Sequence, residues 1–567
     1  MLRYSAPLAL AAMLALPAAA QDQAAVPPLA APLPTPEKNA ILNAELPADQ
    51  AAMKAHVMFL ASDAMKGREA GTNEFDIAAQ YVAAQFYAAG LRPAGDEGSY
   101  LQKVPLLSWK PAGKGAMTLA PKKGAATTEL VFGEDYYPSA NPDKLDYTVT
   151  APVVFVGYGL VGFGRDDFKG VDVKGKIVAF FPGAPDNIPP EERAHLSSAA
   201  GGKAMIAMKK GAVGFITLES PRTAGRGNAP FAMLATAWDR PRVGWAKADG
   251  TGHVMNAATP GLGTLSKAGA AKLFAGSKAK FDDILKLAMD DKSVFKAVQL
   301  PGTLTVSLKT EVSPFTSYNV AGMLKGSDPV LSAETVVLTA HLDHVGVGKA
   351  NAFGDTIYNG AMDNAVGIAS LIEEAKRFKE SGKAPRRSIL FLAVTAEEKG
   401  LVGADYFANN PTLPKGNLVA NVNLDMPIIN YAFQDVVPFG AAHSTIGEIA
   451  TKAAAEIGVT VSPDSRPEEA FFVRSDHYRF VQQGIPSIFL WPGEKGEGKA
   501  AVDAFLANNY HKPSDEVVQS PRINWESGVR FVDVNYRIAR AIADADQKPV
   551  WKKGDFFGTF FGGAMEK

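Results

Sequence analysis

The chain has 567 residues, with 58 Lys and Arg against 59 Asp and Glu for a net charge of −1, 47% hydrophobic residues and no cysteine. Its length is too great for one hydrophobic core, so two or more domains are expected. Balanced charge without a long basic run argues against a nucleic-acid partner, and the missing cysteines exclude disulfides and a lipid-modified cysteine anchor while leaving an oxidising compartment open.

Residues 1–20 carry Arg3, an apolar run over 6–16 and Ala18-Ala19-Ala20 before Gln21. The run is too short to span a bilayer and reads as a secretory signal cleaved after Ala20, which places the protein in a bacterial periplasm or outside the cell. Residues 21–45 hold Pro27, Pro28, Pro32, Pro34 and Pro36 and read as a linker too proline-dense for a helix or central strand. Helical spacing follows over 50–60 and 76–89, joined by the loop Met65-Lys66-Gly67-Arg68-Glu69-Ala70-Gly71-Thr72. From Trp109 the pattern turns to short β-like runs with glycine turns. Strands are expected over 152–160, 175–182 and 211–218, with helices over 197–210 and 266–276. The rest of 223–301 has no clear period. His195 and His253 stand alone in this region and read as surface or packing residues.

Beyond Tyr318, three short apolar runs each stop on residues that bind metals. Residues 335–340 lead into His341-Leu342-Asp343, 388–396 into Glu397-Glu398, and 418–424 into Asp425. Such runs read as central strands buried on both faces, and ligands of open α/β sheets bind at the carboxyl ends of those strands. Asp363 precedes an amphipathic helical stretch that Asn364 would cap, and His511 lies in the turn-rich Tyr510-His511-Lys512-Pro513-Ser514-Asp515. His341, Asp363, Glu398, Asp425 and His511 are therefore the candidate ligands. Two imidazoles and three carboxylates without a thiol suit zinc, with cobalt or manganese as substitutes, and three carboxylates favour two cations over one. Adjacent residues of a strand point oppositely, so Glu397 and Glu398 can serve one site only if the chain turns after Ala396. A helix over 444–457, a strand over 485–491 and a closing helix over 524–544 continue the alternation. The tail, with Trp551, Phe556, Phe557, Phe560 and Phe561, is aromatic enough to require packing on the protein or on a partner subunit.

The motifs HLDH (341–344), GAMDN (360–364), Glu397-Glu398, NLDM (423–426), RSDHY (474–478) and YHKPSDE (510–516) occur in the order that characterises the M28 co-catalytic zinc peptidases, and the chain resembles that family over about 46–107 and 318–545. The 65–72 loop resembles one near the active face of the same enzymes, while GYGL, DFKGVDVKGKIVAFF and KGAVGFI resemble the protease-associated (PA) domain often inserted into them. The resemblance implies an α/β zinc-exopeptidase fold with a mixed, mostly parallel sheet. It divides the chain into a catalytic domain over 46–115 and 312–546, a β-rich PA-like insert over 116–311 that roofs the cleft, and a tail over 547–567. It also implies two Zn2+: His341 and Asp425 on one, Glu398 and His511 on the other, Asp363 bridging. Glu397 would then take a proton from a water shared by the cations. Asp343 would receive the second N–H of His341, and Tyr510 would hydrogen-bond the oxyanion. His344 would support its loop and Asp476-His477 would line the substrate side, neither as ligand.

The activity so implied is that of an exported aminopeptidase acting on peptides, without stable membrane insertion and with self-association left open. Two alternatives stand beside it. A glutamate-carboxypeptidase-like exopeptidase would need cations to clamp a terminal carboxylate, and after Arg474 the sequence continues Ser475-Asp476-His477 rather than with further arginines. A receptor-like, non-catalytic protein would have lost ligands that this chain retains.

Overall fold

The computed structural model describes residues 33–120, 126–220, 230–414 and 416–567. The expected signal segment and most of the proline-rich linker lie outside the described residues. Where the linker is described it forms a helix, Thr35–Leu42, contrary to the expectation. Pro34 and Pro36 sit at its N-terminal end, where a missing N–H costs nothing because that turn has no intrahelical acceptor.

The expected mixed, mostly parallel α/β sheet is borne out. Four neighbouring strands run parallel, in the order Ser388–Val394, Thr335–His341, Leu418–Asn423 and Ser487–Pro492. Antiparallel strands flank them: Val298–Leu324 pairs with Ser388–Val394, and Asp435–Phe439 with Ser487–Pro492. The reason for the near-continuous apolar runs is visible in which way successive residues face. Val336, Leu338, Ile389 and Phe391 join one core, while Val337, Leu390, Leu392 and Val394 join another on the opposite face. Ala48–Leu60, Val366–Glu380 and Trp525–Asp544 cover the first face, and the helices Val402–Asn409 and His477–Val481 contribute Phe407 and Phe480 to the second.

The 27-residue strand Val298–Leu324 belongs to two sheets. Residues 303–309 pair with Asp146–Phe155 and Ala116–Ala120, whereas 310–320 pair with Leu101–Pro111. Around its first half a separate core gathers, including Phe155, Phe180, Leu262 and Leu304, under the parallel strands Asp146–Phe155, Ile177–Phe180, Gly214–Leu218 and Gly261–Leu265. The helix expected over 197–210 is shorter, Ala204–Lys209, preceded by a wider turn over Ala199–Lys203. Within the stretch that has no clear period, Arg242–Trp245 is a strand on the edge of the main sheet, paired with Leu101–Pro111. Four residues are too few to display alternation.

The two histidines of this region are not solitary. His253 stacks on Trp245, with ring centroids 4.1 Å apart. His195 accepts or donates a hydrogen bond with the Tyr478 hydroxyl and is boxed by Phe556, Phe557, Phe560 and Phe561 of the tail. The tail thus packs within its own chain. A buried ion pair closes the same junction: His443 bonds Asp555 at 2.6 Å and Glu191 at 2.7 Å. Burial alone would lower the His443 imidazole, but the Asp555 and Glu191 carboxylates outweigh it and raise its pKa to about 10. A group so raised adds stability that is fully present below its unfolded value and fades as pH climbs to the folded one. Replacing His443 with Gln is expected to cost about 2–4 kcal/mol at pH 6, with the gap to the parent closing by about pH 10. Denaturant midpoints of both proteins at the two pH values check it.

Candidate metal centre

The candidate residues converge at the carboxyl edge of the parallel strands. His341 Nε2 lies 3.2 Å from Asp363 Oδ1 and 3.1 Å from Asp425 Oδ1. His511 Nε2 lies 3.2 Å from Asp363 Oδ2 and 3.2 Å from Glu398 Oε2. Asp363 therefore turns one oxygen to each cluster. Donors on a tetrahedral ion with bonds of about 2.0–2.1 Å are separated by about 3.3–3.4 Å, so these spacings match the edges of two coordination tetrahedra that share Asp363. All five side chains are buried or nearly so, His511 being the most open at 21% exposure.

Local structure explains the convergence. The strand Ser388–Val394 ends before the doublet, and Ala396 adopts a left-handed backbone (φ 55°), which provides the turn that Glu397 and Glu398 require. Asp363 is held from below: Asp515 accepts hydrogen bonds from the backbone N–H groups of Met362 (2.9 Å) and Asp363 (3.0 Å). Asn364 caps the following helix through Gly367 N–H and also binds Met426 N–H and the Leu424 carbonyl, tying the Asp363 loop to the Asp425 loop. Ser475 donates to Asp425 Oδ2 at 2.5 Å, and Trp491 Nε1 donates to the Asp425 carbonyl at 2.8 Å. The RSDHY motif thus orients a ligand candidate.

Asp343 sits differently from expectation. The Asp343 carboxylate is 3.9 Å from His341 Nδ1; the imidazole meets the Asp343 backbone carbonyl at 3.1 Å instead. The carboxylate accepts from the backbone N–H groups of Glu397 (3.0 Å) and Glu398 (3.3 Å), so it braces the doublet rather than the histidine. An aspartate two residues after a histidine can turn either way, and the two donor amides next to it decide. His344, expected to support its loop, is fully buried with Nδ1 2.8 Å from Glu398 Oε1 and 4.0 Å from Asp363 Oδ2. Tyr510 lies ring against ring on His511, centroids 4.0 Å apart.

Arg68, in the 65–72 loop, is the residue sequence reasoning missed. It is completely buried and donates to the carbonyls of Leu60, Leu342, Asn359 and Gly360, clamping the His341 and Asp363 loops together. Burial pulls its guanidinium down to about 10 against the attraction of Asp363, Asp515, Asp343 and Glu398. The signal in the sequence was a lone arginine between glycines next to Glu69, which pairs with Lys399 at 2.5 Å.

The electrostatics are those of an anionic pocket. Burial alone would lower His511, but Glu398 and Asp363 raise it to about 11. Burial likewise lowers His341, and Asp425 with Asp363 more than reverses that. Burial holds the Glu397 carboxyl well above the usual carboxylate range. A pocket that draws protons onto its imidazoles draws cations for the same reason.

An open, mostly parallel sheet with a buried imidazole–carboxylate cluster at its carboxyl edge defines an α/β protein with a candidate metal centre. Residues 319–538 match the sequence profile of Peptidase family M28. Among curated proteins, the chain is 27% identical over 253 residues to the "Probable leucine aminopeptidase 2" of Aspergillus fumigatus, covering 41% of this chain and 46% of the relative. It is 30% identical over 194 residues to "Leupeptin-inactivating enzyme 1" of Streptomyces exfoliatus, covering 33% and 39%. The chain spans about half or less of the length of these two relatives. Among solved structures, the "Aminopeptidase from Aneurinibacillus sp. strain AM-1" aligns with 88% of this chain and 94% of its own at 20% identity and a TM-score of 0.44. Among the described residues no helix is long and apolar enough to cross a membrane.

Proposed function

We propose that the chain is an exported two-zinc metallopeptidase that acts as an aminopeptidase. The observation that carries this is the split of Asp363 between two donor clusters, one of them closed by Glu398 of the glutamate doublet. His341 and Asp425 would hold one Zn2+, Glu398 and His511 the other, and Asp363 both; Co2+ or Mn2+ would suit the same donors. When bound, such cations supply Lewis-acid polarisation of a water and of the scissile carbonyl. Glu397 takes the proton of the attacking water and delivers it to the departing amine. Asp343 fixes the backbone of that doublet, and Tyr510 is placed beside His511 to donate to the developing oxyanion.

The insert over 116–311 is read as a PA-like domain that limits access. Within its sequence range, Arg242–Trp245 joins the edge of the main sheet, and a cavity of about 170 Å³ is lined there by Trp245 and His253 together with Gly400, Asp405 and Arg479. The carboxypeptidase alternative is disfavoured because the Arg474 guanidinium already pairs with Glu469 at 3.0 Å and stacks on Phe471. A panel of amino-acid p-nitroanilides against N-acylated glutamyl dipeptides tests the choice. Cleavage of the anilides with at least a ~100-fold higher kcat/KM, about 2.7 kcal/mol of transition-state preference, is expected. The reverse order would establish the carboxypeptidase reading, and no turnover by zinc-loaded protein would favour the receptor-like one.

A further inference from the structure

The cluster at the Glu398 end has one more donor than its partner. His344 is fully buried between this end and Gly360, whose Cα lies so close to the ring that an added Cβ would come within 2.5 Å of His344 Cγ. Its Nδ1 and Glu398 Oε1 are only 2.8 Å apart, yet they are not aligned for a hydrogen bond, and each is without a hydrogen-bonding partner. A shared cation would satisfy both of these buried atoms at once. The rings of His344 and His511 lie 5.8 Å apart at 64°, a separation that lets two imidazoles address one point between them. His344, Asp363 and Glu398 place ligand atoms within 4.8 Å of one another, as do His341, Asp363 and Asp425 at the other end.

We propose that His344 is a direct ligand, so that the Glu398 end holds its cation with four protein groups (His344, His511, Glu398 and Asp363) and the His341 end with three (His341, Asp425 and Asp363). The proposal rests on the metal-centre reading above and deepens it. Four protein donors complete a tetrahedral shell, whereas three leave a position open. The imidazole-rich end is therefore the tighter zinc site and fills first. The open position then falls at the His341–Asp425 end. The two ends differ in chemistry as well: two imidazoles favour zinc over harder cations such as Mn2+ or Mg2+, while one imidazole with two carboxylates is less discriminating.

Calorimetric titration of the full, metal-stripped chain with Zn2+ tests this. The parent is expected to take up two equivalents in two resolvable steps. H344A is expected to weaken the tighter step by more than about 100-fold, beyond the ~10–100-fold that removal of a residue merely hydrogen-bonded to a ligand costs. H344N, which restores a hydrogen-bonding group but not an imidazole, should be as weak as H344A. Recovery in H344N, or an unchanged tight step in H344A, overturns the proposal and leaves a positioning role. X-ray absorption of the parent carrying one zinc per chain gives a reading independent of whether the variants fold: two imidazoles in the shell are expected, and a single one overturns the proposal. Absence of any tight zinc uptake by the parent would instead remove the metal-centre reading itself.

Discussion

Glu397→Gln is expected to lower kcat by about 10³–10⁴-fold, the upper range for loss of a general base, while the protein still binds two zinc ions per chain. The substitution keeps the side chain's size and its backbone N–H bond to Asp343 Oδ1, and Glu397 is none of the residues that close the two donor clusters. Only the capacity to take a proton disappears. Metal content by plasma emission spectroscopy alongside turnover of an amino-acid p-nitroanilide separates the two effects. Substantial residual turnover would end the general-base assignment. Loss of metal together with activity would mean that Glu397 is a ligand and that the roles in the doublet are reversed.

The second large effect is expected at the shared aspartate. Asp363→Asn keeps one carbonyl oxygen and leaves the loop anchored, because the Asp515 carboxylate holds it through backbone N–H groups and Asn364 ties it to the Leu424 carbonyl. An amide nitrogen cannot ligate as a carboxylate oxygen does, so one of the two 3.2 Å relations, to His341 or to His511, is lost as a coordination edge. Zinc content should fall from two to one per chain or below, and kcat/KM by about 10³-fold or more, an estimate of about 4 kcal/mol. The rise in melting temperature that zinc confers on the parent should shrink in parallel, since a ligand stabilises only in proportion to its binding to the folded chain. Two retained zinc ions with near-normal turnover would show that the clusters do not share this residue.

Both effects depend on supports whose own contributions are structural. Arg68, Asp515, Asn364 and Ser475 touch loops rather than substrate, and together they connect segments more than 400 residues apart in the chain. Left-handed backbone falls at Ala396, two residues before Glu398, at Met426, next to Asp425, and at His511 itself. Non-glycine residues hold such conformations only where surrounding contacts impose them, which is how this site obtains its geometry.

How much of this was legible beforehand follows from the range of each interaction. Strand position was readable because burial on both faces demands an unbroken apolar run, and the residues that end the 335–341, 388–394 and 418–423 strands were therefore recognisable as a group. The turn at Ala396 followed from stereochemistry once Glu397 and Glu398 were taken to serve one site, and the Asn364–Gly367 contact joins neighbours in sequence. By contrast, whether Asp343 would face His341 or the Glu397–Glu398 amides depended on a strand more than 50 residues later. Whether His344 would be an ordinary loop residue depended on Glu398 and on the absence of a side chain at Gly360. The burial of Arg68, the return of Arg242–Trp245 to the main sheet and the aromatic box around His195 likewise pair segments that nothing local connects. Periodicity and residue type, which act over a few neighbouring positions, were thus enough to determine the sheet and nominate its ligands. The direction in which each polar side chain points was decided by tertiary packing, because a buried donor or acceptor takes whichever partner the fold brings within about 3 Å.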